Sequence, residues 1–512
     1  MAIHKQSALR SSGLQSLLWL PAGVIGAALL FGPLLTRAWP LGDGGLFYVF
    51  TRALMAHNFH LPAEVIYNGE SLPFAYPPLG FYLAGGISWL LKVPLLQVFL
   101  WLPAVLTWLQ IPLFYLLTQE LFDRREFHLG STMLFMADHT RYSWLLFGGG
   151  VTRALAYTLA LLGMWFAARF FKRQRLRDWL WASLLGGAVL TAHAGTGFAY
   201  SLLLTGVLLG LGVRNWLRGS KSEWKRTAGL LLATAGLVLF FSAPWWSTVM
   251  RYHGWQPFQW AFFSGFSGWY KSMWIFFPFL PYTPLKTVSW VAVLAWIGLL
   301  SAHYPASRRW PLFFFIILIF ALMPRSAPRL VSPLLAWLAY MGVEQILHGL
   351  SKREHLIGYG FIFFIVFTVA GLETLSMPGI TALEAAQLRA LDEQLPRQAS
   401  VLVLPPQTWA AEWEKEWLPA VTNLRVALLV QGSEWNGQFM ERIWVQEVFR
   451  FGWKQKGVQA IEEALKTRPH LADYIWVLPE YPLACEALQG QDFLEPQPWR
   501  WNQGCLFRIH HP

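Results

Sequence analysis

The chain has 512 residues, 55% of them hydrophobic and 13% charged, with a net charge of +12. Its apolar residues come in long blocks and not in amphipathic stripes, which excludes an ordinary soluble domain and predicts an integral membrane protein. Lys and Arg fall in short clusters between those blocks, the topology signal of a helical membrane protein, so the positive charge does not point to nucleic acid and none is expected as a partner.

In chain order, the first apolar segment, 14–35, follows a basic start (His4, Lys5, Arg10). It is long and no small-x-small cleavage site follows it, so it is read as a retained helix and not as a signal peptide. The stretch from Trp39 to Leu83 then puts acidic, amide and aromatic groups where a membrane protein ordinarily has a short loop. Asp43 stands there between glycines (GDGG), so its carboxylate is expected near the membrane surface with backbone approaching closely on either side. Further spans are predicted at 97–118, 129–147, 152–171, 179–194, 197–213, 227–248, 286–301, 311–324, 330–348 and 356–374.

The segment 79–92 is too short to cross about 30 Å as a helix. The basic loops Arg124-Arg125, Lys172 to Arg177, Arg214 to Arg226, Arg308-Arg309 and Lys352-Arg353 share one side, together with the N-terminus, only if 79–92 does not cross. It is therefore placed as an interfacial or re-entrant helix on the outer side, giving about eleven spans and a cytoplasmic N-terminus in a plasma or inner membrane. From Ser376 onward the apolar blocks stop. Helices are predicted at TALEAAQLRALDEQLP, ERIWVQEVFRF and VQAIEEALKT, and strands at ASVLVLP, LRVALLVQ, YIWVLPE and CLFRIH. The expected fold class is thus mainly α, a polytopic transmembrane helical bundle over 1–375 with an outer loop at 36–96, followed by a small extracytoplasmic α/β domain over 376–512. Cys485 and Cys505, the only cysteines, both fall in that terminal part. Two are too few for a disulfide framework or a Cys-based zinc site, and allow one bridge if this part folds outside the cytosol.

One hydrophobic helix, an acid at the start of a long outer loop (Asp43) and then Tyr76-Pro77-Pro78-Leu79 form a pattern that resembles the GT-C superfamily of membrane glycosyltransferases. The resemblance is carried by the first 120 residues, and beyond them by the helix pattern. It implies an enzyme of the protein-mannosyltransferase kind, with a polyprenyl-phosphate-linked sugar as donor, hexosyl or pentosyl transfer, and a glycan, lipid or protein acceptor at the extracytoplasmic face. It also implies that Asp43 is the catalytic residue, acting as general base. Many members carry two adjacent acids there, whereas Gly44 follows Asp43 here. The reading from another class is a non-catalytic membrane scaffold or assembly subunit that keeps the same architecture.

From the residues alone, the favoured reading of Asp43 is an N-cap for the helix of FYVFTRALMA, since Asp beside Gly is common at helix starts, and it is the resemblance that favours the catalytic role. Glu64, Asn68 and Glu70 follow in the loop, with Glu70 the better substrate contact because it leads into the Tyr76 element. The prolines fix an extended turn and Tyr76 is placed facing the site. Gly148 to Gly150 allow close backbone approach at an outer helix end, where Arg153 is a candidate phosphate ligand. Asp138 and Arg141, beside His139, are either functional or simply neutralise each other. His193 in TAHAGTG is a substrate contact or a hydrogen-bonded packing residue. Arg325 and Arg329, in MPRSAPRL, oppose the positive-inside trend, and a lipid phosphate is the natural anion for them, with headgroup snorkelling as the plainer account. The aromatic loop 249–285 is an interfacial belt with faces that also stack on sugars. No HxxxH, HExxH or Cys/His cluster supports a metal site, so no cofactor is expected, with a divalent metal left open as one that no ligand cluster supports.

Overall fold

The computed structural model describes residues 19–217, 223–264, 289–323, 326–377, 379–408, 412–499, 501 and 503–510. The first apolar segment is α1 (Leu20–Phe31), extended by a tighter 3-10 turn over Gly32–Thr36. After α2 (Gly45–Ala56) comes a hairpin of β1 (Glu64–Tyr67) and β2 (Glu70–Pro73), antiparallel with Tyr67 opposite Glu70. The two residues between, Asn68 and Gly69, both have positive φ (54° and 76°), the backbone a tight two-residue hairpin loop requires. The helix α3 (Leu79–Leu91) has 13 residues, roughly 20 Å at the rise of an α-helix, and stops at Lys92 in the left-handed region. It packs against α2, with Gly85 beside Met55 and Phe59, and on another side Gly80 lies against Val151 and Thr152.

The bundle continues through α4 (Leu95–Leu121), α5 (Arg125–Ala137), α6 (Tyr142–Leu146), α7 (Gly150–Arg173), α8 (Leu176–Ala192), α9 (Ala194–Leu217) and α10 (Glu223–His253). It closes with α11 (Gln256–Ser264), α12 (Trp290–Leu300), α13 (Ala306–Leu322), the short α14 (Ala327–Leu330), α15 (Ser332–Leu347) and α16 (Lys352–Leu375). Five of these, α4, α7, α9, α10 and α16, are long and apolar enough to cross a membrane by length and composition. Large apolar side chains on α10 and α16, such as Phe240, Leu356, Phe361 and Phe364, stand exposed on the outside of the bundle, where lipid replaces water as solvent. The protein is an integral membrane protein with a helical bundle of the expected kind.

Two local departures from the sequence reading have physical causes. The segment 129–147 is not one helix: α5 ends at Asp138, whose ψ of 88° leaves the helical region, and the chain re-enters through a 3-10 turn at His139–Arg141. Asp138 and Arg141 do not pair with each other. Asp138 accepts from the Thr140 hydroxyl at 2.7 Å, while the fully buried Arg141 donates to Gln110 at 3.1 Å and lies 3.7 Å over the Phe135 ring. Elsewhere helices approach closely through small residues, as in any membrane bundle. A Cβ on Gly298 of α12 would sit 1.8 Å from the Leu338 carbonyl oxygen of α15, so only glycine allows that crossing.

The basic ends of the bundle meet. Arg173 binds Glu120 at 2.9 Å, Arg124 binds Glu344 at 2.9 Å, and Ser301 donates to Gln345 at 2.7 Å, so loops after α4, α7, α12 and α15 share one end.

The C-terminal part holds α17 (Ala382–Gln394), β3 (Ser400–Leu404), α18 (Trp413–Val421), β4 (Arg425–Val426), α19 (Phe439–Lys456), α20 (Gln459–Thr467), β5 (Tyr474–Val477), α21 (Pro482–Leu488), β6 (Leu494–Pro496) and β7 (Cys505–Ile509). Its five-stranded sheet runs β4-β3-β5-β7-β6, with β3 parallel to β4 and β5, and β7 antiparallel to β5 and β6. The strand expected over LRVALLVQ is cut to two residues because Leu428 takes a positive φ of 60° and turns the chain away. Cys485 and Cys505 form a disulfide that ties α21 to β7, with Cα atoms 5.9 Å apart.

Candidate active site

The turn that carries Asp43 is held on two sides. On one, Gly148 donates its N–H to the Leu41 carbonyl at 2.8 Å and Gly149 donates to the Asp43 carbonyl at 3.2 Å. On the other, the Trp417 indole donates to the Gly42 carbonyl at 3.0 Å, and Glu416 Oε1 accepts from the Gly44 and Leu46 amides at 2.9 and 3.3 Å. Gly42 and Gly44 both have positive φ, 54° and 140°. A Cβ on Gly44 would sit 2.8 Å from Gly148 Cα, which is why this turn is built from glycine.

Asp43 therefore does not cap α2. The cap position is Gly44, and the orphan amides at the helix start are satisfied by Glu416, a residue 370 positions away in sequence from Leu46. The Asp43 side chain points elsewhere: Oδ2 pairs with Arg153 Nη2, and Oδ1 accepts the Gly149 N–H at a long 3.3 Å. Arg153 is buried, donates Nε to the Gly149 carbonyl at 3.2 Å, and lies 5.1 Å from the Trp144 ring centroid.

Asp43 and Arg153 open onto a cavity of about 430 Å³, of the size that holds a small-molecule ligand. The same cavity is lined by Tyr76, His193 and Arg329, so Asp43, Tyr76, Arg153, His193 and Arg329 meet in one place. Tyr76 stacks edge-on against Phe47 and Trp435, with centroids 4.7 and 5.5 Å apart, and its hydroxyl is 3.4 Å from the Thr152 hydroxyl. His193 caps α9: its Nδ1 accepts the Thr196 N–H at 3.0 Å, which puts the ring proton of the neutral imidazole on Nε2. Arg329, 6% exposed, donates to the Ser326 hydroxyl at 2.8 Å at the start of α14. The remaining wall is chiefly apolar and aromatic, from Trp245, Phe258 and Phe262 to Leu322 and Met323.

Glu70 lies apart from this cavity. It binds Arg442 at 2.6 Å and lines a separate, polar hollow between the hairpin and the terminal sheet. Asn68 has a similar part, since its amide group pairs with both the N–H and the carbonyl of Val426, at 2.6 and 3.0 Å, and so docks the hairpin on the edge strand β4. Glu64 accepts from the Ser71 hydroxyl across the same hairpin. Arg325, the part of the aromatic loop over 265–285 and the first residues of the span expected at 286–301 lie outside the described residues.

Sequence reasoning missed the contribution of the terminal part. Glu434 and Trp435 line the cavity from a turn bracketed by Gly432 and Gly437, both at positive φ, with Gln431 just before it, and Glu416 and Trp417 hold the Asp43 turn from behind. The run GSEWNG carries a turn signal on either side of an acid and a tryptophan, and that was the available cue. Among the described residues, no group of three or more His, Cys, Asp or Glu comes together as a metal site.

No protein-family model and no curated protein matches the sequence. Solved structures do match. The oligosaccharyltransferase AglB of Archaeoglobus fulgidus, in complex with an inhibitory peptide and a dolichol-phosphate, aligns at a TM-score of 0.58 and 13% identity, over 92% of this chain and 70% of that one. ArnT from Cupriavidus metallidurans in the apo state aligns at a TM-score of 0.53 and 14% identity, over 96% and 97% of the two chains. The same protein bound to undecaprenyl phosphate aligns at 0.52. At 13–14% identity these matches show a shared fold: this chain has the fold of the solved AglB and ArnT structures.

Proposed function

We propose that the chain is a membrane glycosyltransferase that moves a sugar from a polyprenyl-phosphate carrier to an acceptor hydroxyl or amide at the extracytoplasmic face. The observation that carries this reading is the single cavity that Asp43 and the buried Arg329 share, walled by aromatic and aliphatic side chains. A lipid-linked sugar has those three requirements: an apolar path for the lipid, a cation for the phosphate, and a base for the nucleophile.

Asp43 Oδ2 is committed to Arg153, and Oδ1, with its one long bond, is the oxygen that takes the acceptor proton. As that proton leaves, the acceptor atom forms its bond to the anomeric carbon. The bond from that carbon to the phosphate oxygen breaks, and the electron pair departs with the lipid phosphate. Arg329 counters the charge that gathers there. Arg153, committed to Asp43, orients the carboxylate instead of binding phosphate.

The depth of the cavity supports the choice of face. Arg153 and Arg173 lie on one helix, α7, twenty residues apart, which is roughly 30 Å of helix, a full hydrocarbon thickness. Arg173 belongs to the basic end, expected in the cytoplasm, and so the cavity belongs to the other. That ArnT and AglB are solved with undecaprenyl phosphate and dolichol-phosphate respectively supports the carrier class.

Arg329→Ala tests the assignment in purified protein supplied with polyprenyl-phosphate sugars. Loss of one charge-assisted contact, worth about 1.5–3 kcal/mol, raises the donor KM by roughly ten- to a hundredfold. An unchanged donor KM would remove Arg329 from the phosphate.

A further inference from the structure

We propose that Glu416 and Trp417 are positioning residues for Asp43, so that the terminal α/β part of the chain sets the geometry of the catalytic turn. The inference rests on the reading of Asp43 as base. An aspartate among three glycines has little backbone restraint of its own, because glycine samples both signs of φ. A general base out of place by about an ångström loses much of its effect, so something outside the turn must fix it.

The contacts that fix it come in two sets. The first, from Gly148 and Gly149, belongs to the bundle. The second comes wholly from α18: the fully buried Trp417 donates to the carbonyl before Asp43, and Glu416 Oε1 accepts the amide after it and the amide of Leu46. These two side chains thus grip the peptide groups on both flanks of Asp43 without touching its carboxylate. The fit is tight, since a Cβ on Gly45 would come 2.3 Å from the Glu416 carbonyl oxygen. The α18 backbone is anchored in turn by the Tyr67 hydroxyl, which donates to that same carbonyl at 2.8 Å, and by Arg52, which donates to the Ala420 carbonyl at 3.4 Å. Trp39 packs edge-on against Trp417 with centroids 5.7 Å apart. The outer loop and the terminal part are therefore one unit at this point, and the terminal part acts on the chemistry through peptide groups.

The test uses the full-length purified chain with three variants: Glu416→Ala, Glu416→Gln and Trp417→Phe. Turnover, donor KM and amide hydrogen exchange over 41–48 are measured for each. Glu416→Ala should lower kcat at least tenfold with donor KM within about twofold, and speed exchange at 41–48, because an interaction that orients the base acts on the transition state and not on donor binding. Glu416→Gln keeps an accepting oxygen and should recover kcat to within about threefold of wild type. Trp417→Phe keeps an aromatic side chain, smaller than indole, and removes the donated bond, so it reports on the turn if the alanine variant does not fold. Wild-type kcat in either Glu416→Ala or Trp417→Phe would overturn the proposal, as would a glutamine variant as slow as alanine. A wild type that transfers no sugar from any polyprenyl-phosphate donor would instead end the functional reading on which this one rests.

Discussion

Glu416 carries the residue-scale argument, because its carboxyl is buried beside another acid. Burial first, and then the Asp43 carboxylate, push its pKa up, while the Gly44 and Leu46 amides and Arg153 pull the other way. The other titratable group facing it is Tyr67, whose hydroxyl is also pushed up by burial and by Glu416 itself. A carboxyl whose pKa is raised in the folded state binds its proton more tightly there than in the unfolded chain. Its stabilising effect is complete below the ordinary glutamate range and is lost as pH rises through the raised value. Glu416→Gln has no proton to lose, so the melting temperature of wild type should fall relative to that variant as the buffer goes from mildly acidic to mildly alkaline. A constant difference across that range would mean that Glu416 is not held neutral. Asp43 itself was legible in the sequence as an unusual acid, but its two readings, cap and base, were not separable there. What removes the cap reading is the Glu416 carboxyl, 373 positions later, which does the capping, and no local pattern announces such a partner.

Among the elements, the hairpin after α2 explains the polar outer loop. Asn68-Gly69 between short runs of alternating burial is a two-residue hairpin signal, present in the sequence and passed over in favour of an irregular loop. Its tip continues the terminal sheet through the Asn68 amide. Asn68→Ala removes two hydrogen bonds of about 1 kcal/mol each. Amide exchange over 64–73 and at Val426 should then rise together, and a rise in only one of them would show that the hairpin and the sheet edge are not coupled. The long apolar helices were legible from block length, because membrane thickness sets it. The break at Asp138, the shortened β4, and the helices α18 and α21 were not, since each depends on a single dihedral or on packing against a distant surface.

For the whole molecule, the outer loop, the α8–α9 junction, the α13–α14 turn and the terminal part converge on one cavity at the end of the bundle away from the basic loops. That arrangement predicts a topology. Single cysteines introduced at Ser220 and Gln438, in a background without native cysteines, should label from opposite sides of the membrane, and labelling from one side would contradict it. The native bridge between Cys485 and Cys505 closes a loop of 20 residues, a constraint worth about 3 kcal/mol on the unfolded chain, so Cys485→Ser should lower the melting temperature of the terminal part. An unchanged melting temperature would mean that the bridge does not form in the native protein.

The central claim is that Asp43 takes a proton during sugar transfer, and Asp43→Asn addresses it with least disturbance. Asparagine keeps the shape and one accepting oxygen and gives up the charge that pairs with Arg153, while the α2 start is capped by Glu416 in either case. In purified, correctly inserted protein given a polyprenyl-phosphate sugar and acceptor, the variant should turn over on the order of 10²-fold or more slower than wild type. An asparagine variant with wild-type turnover would contradict the account.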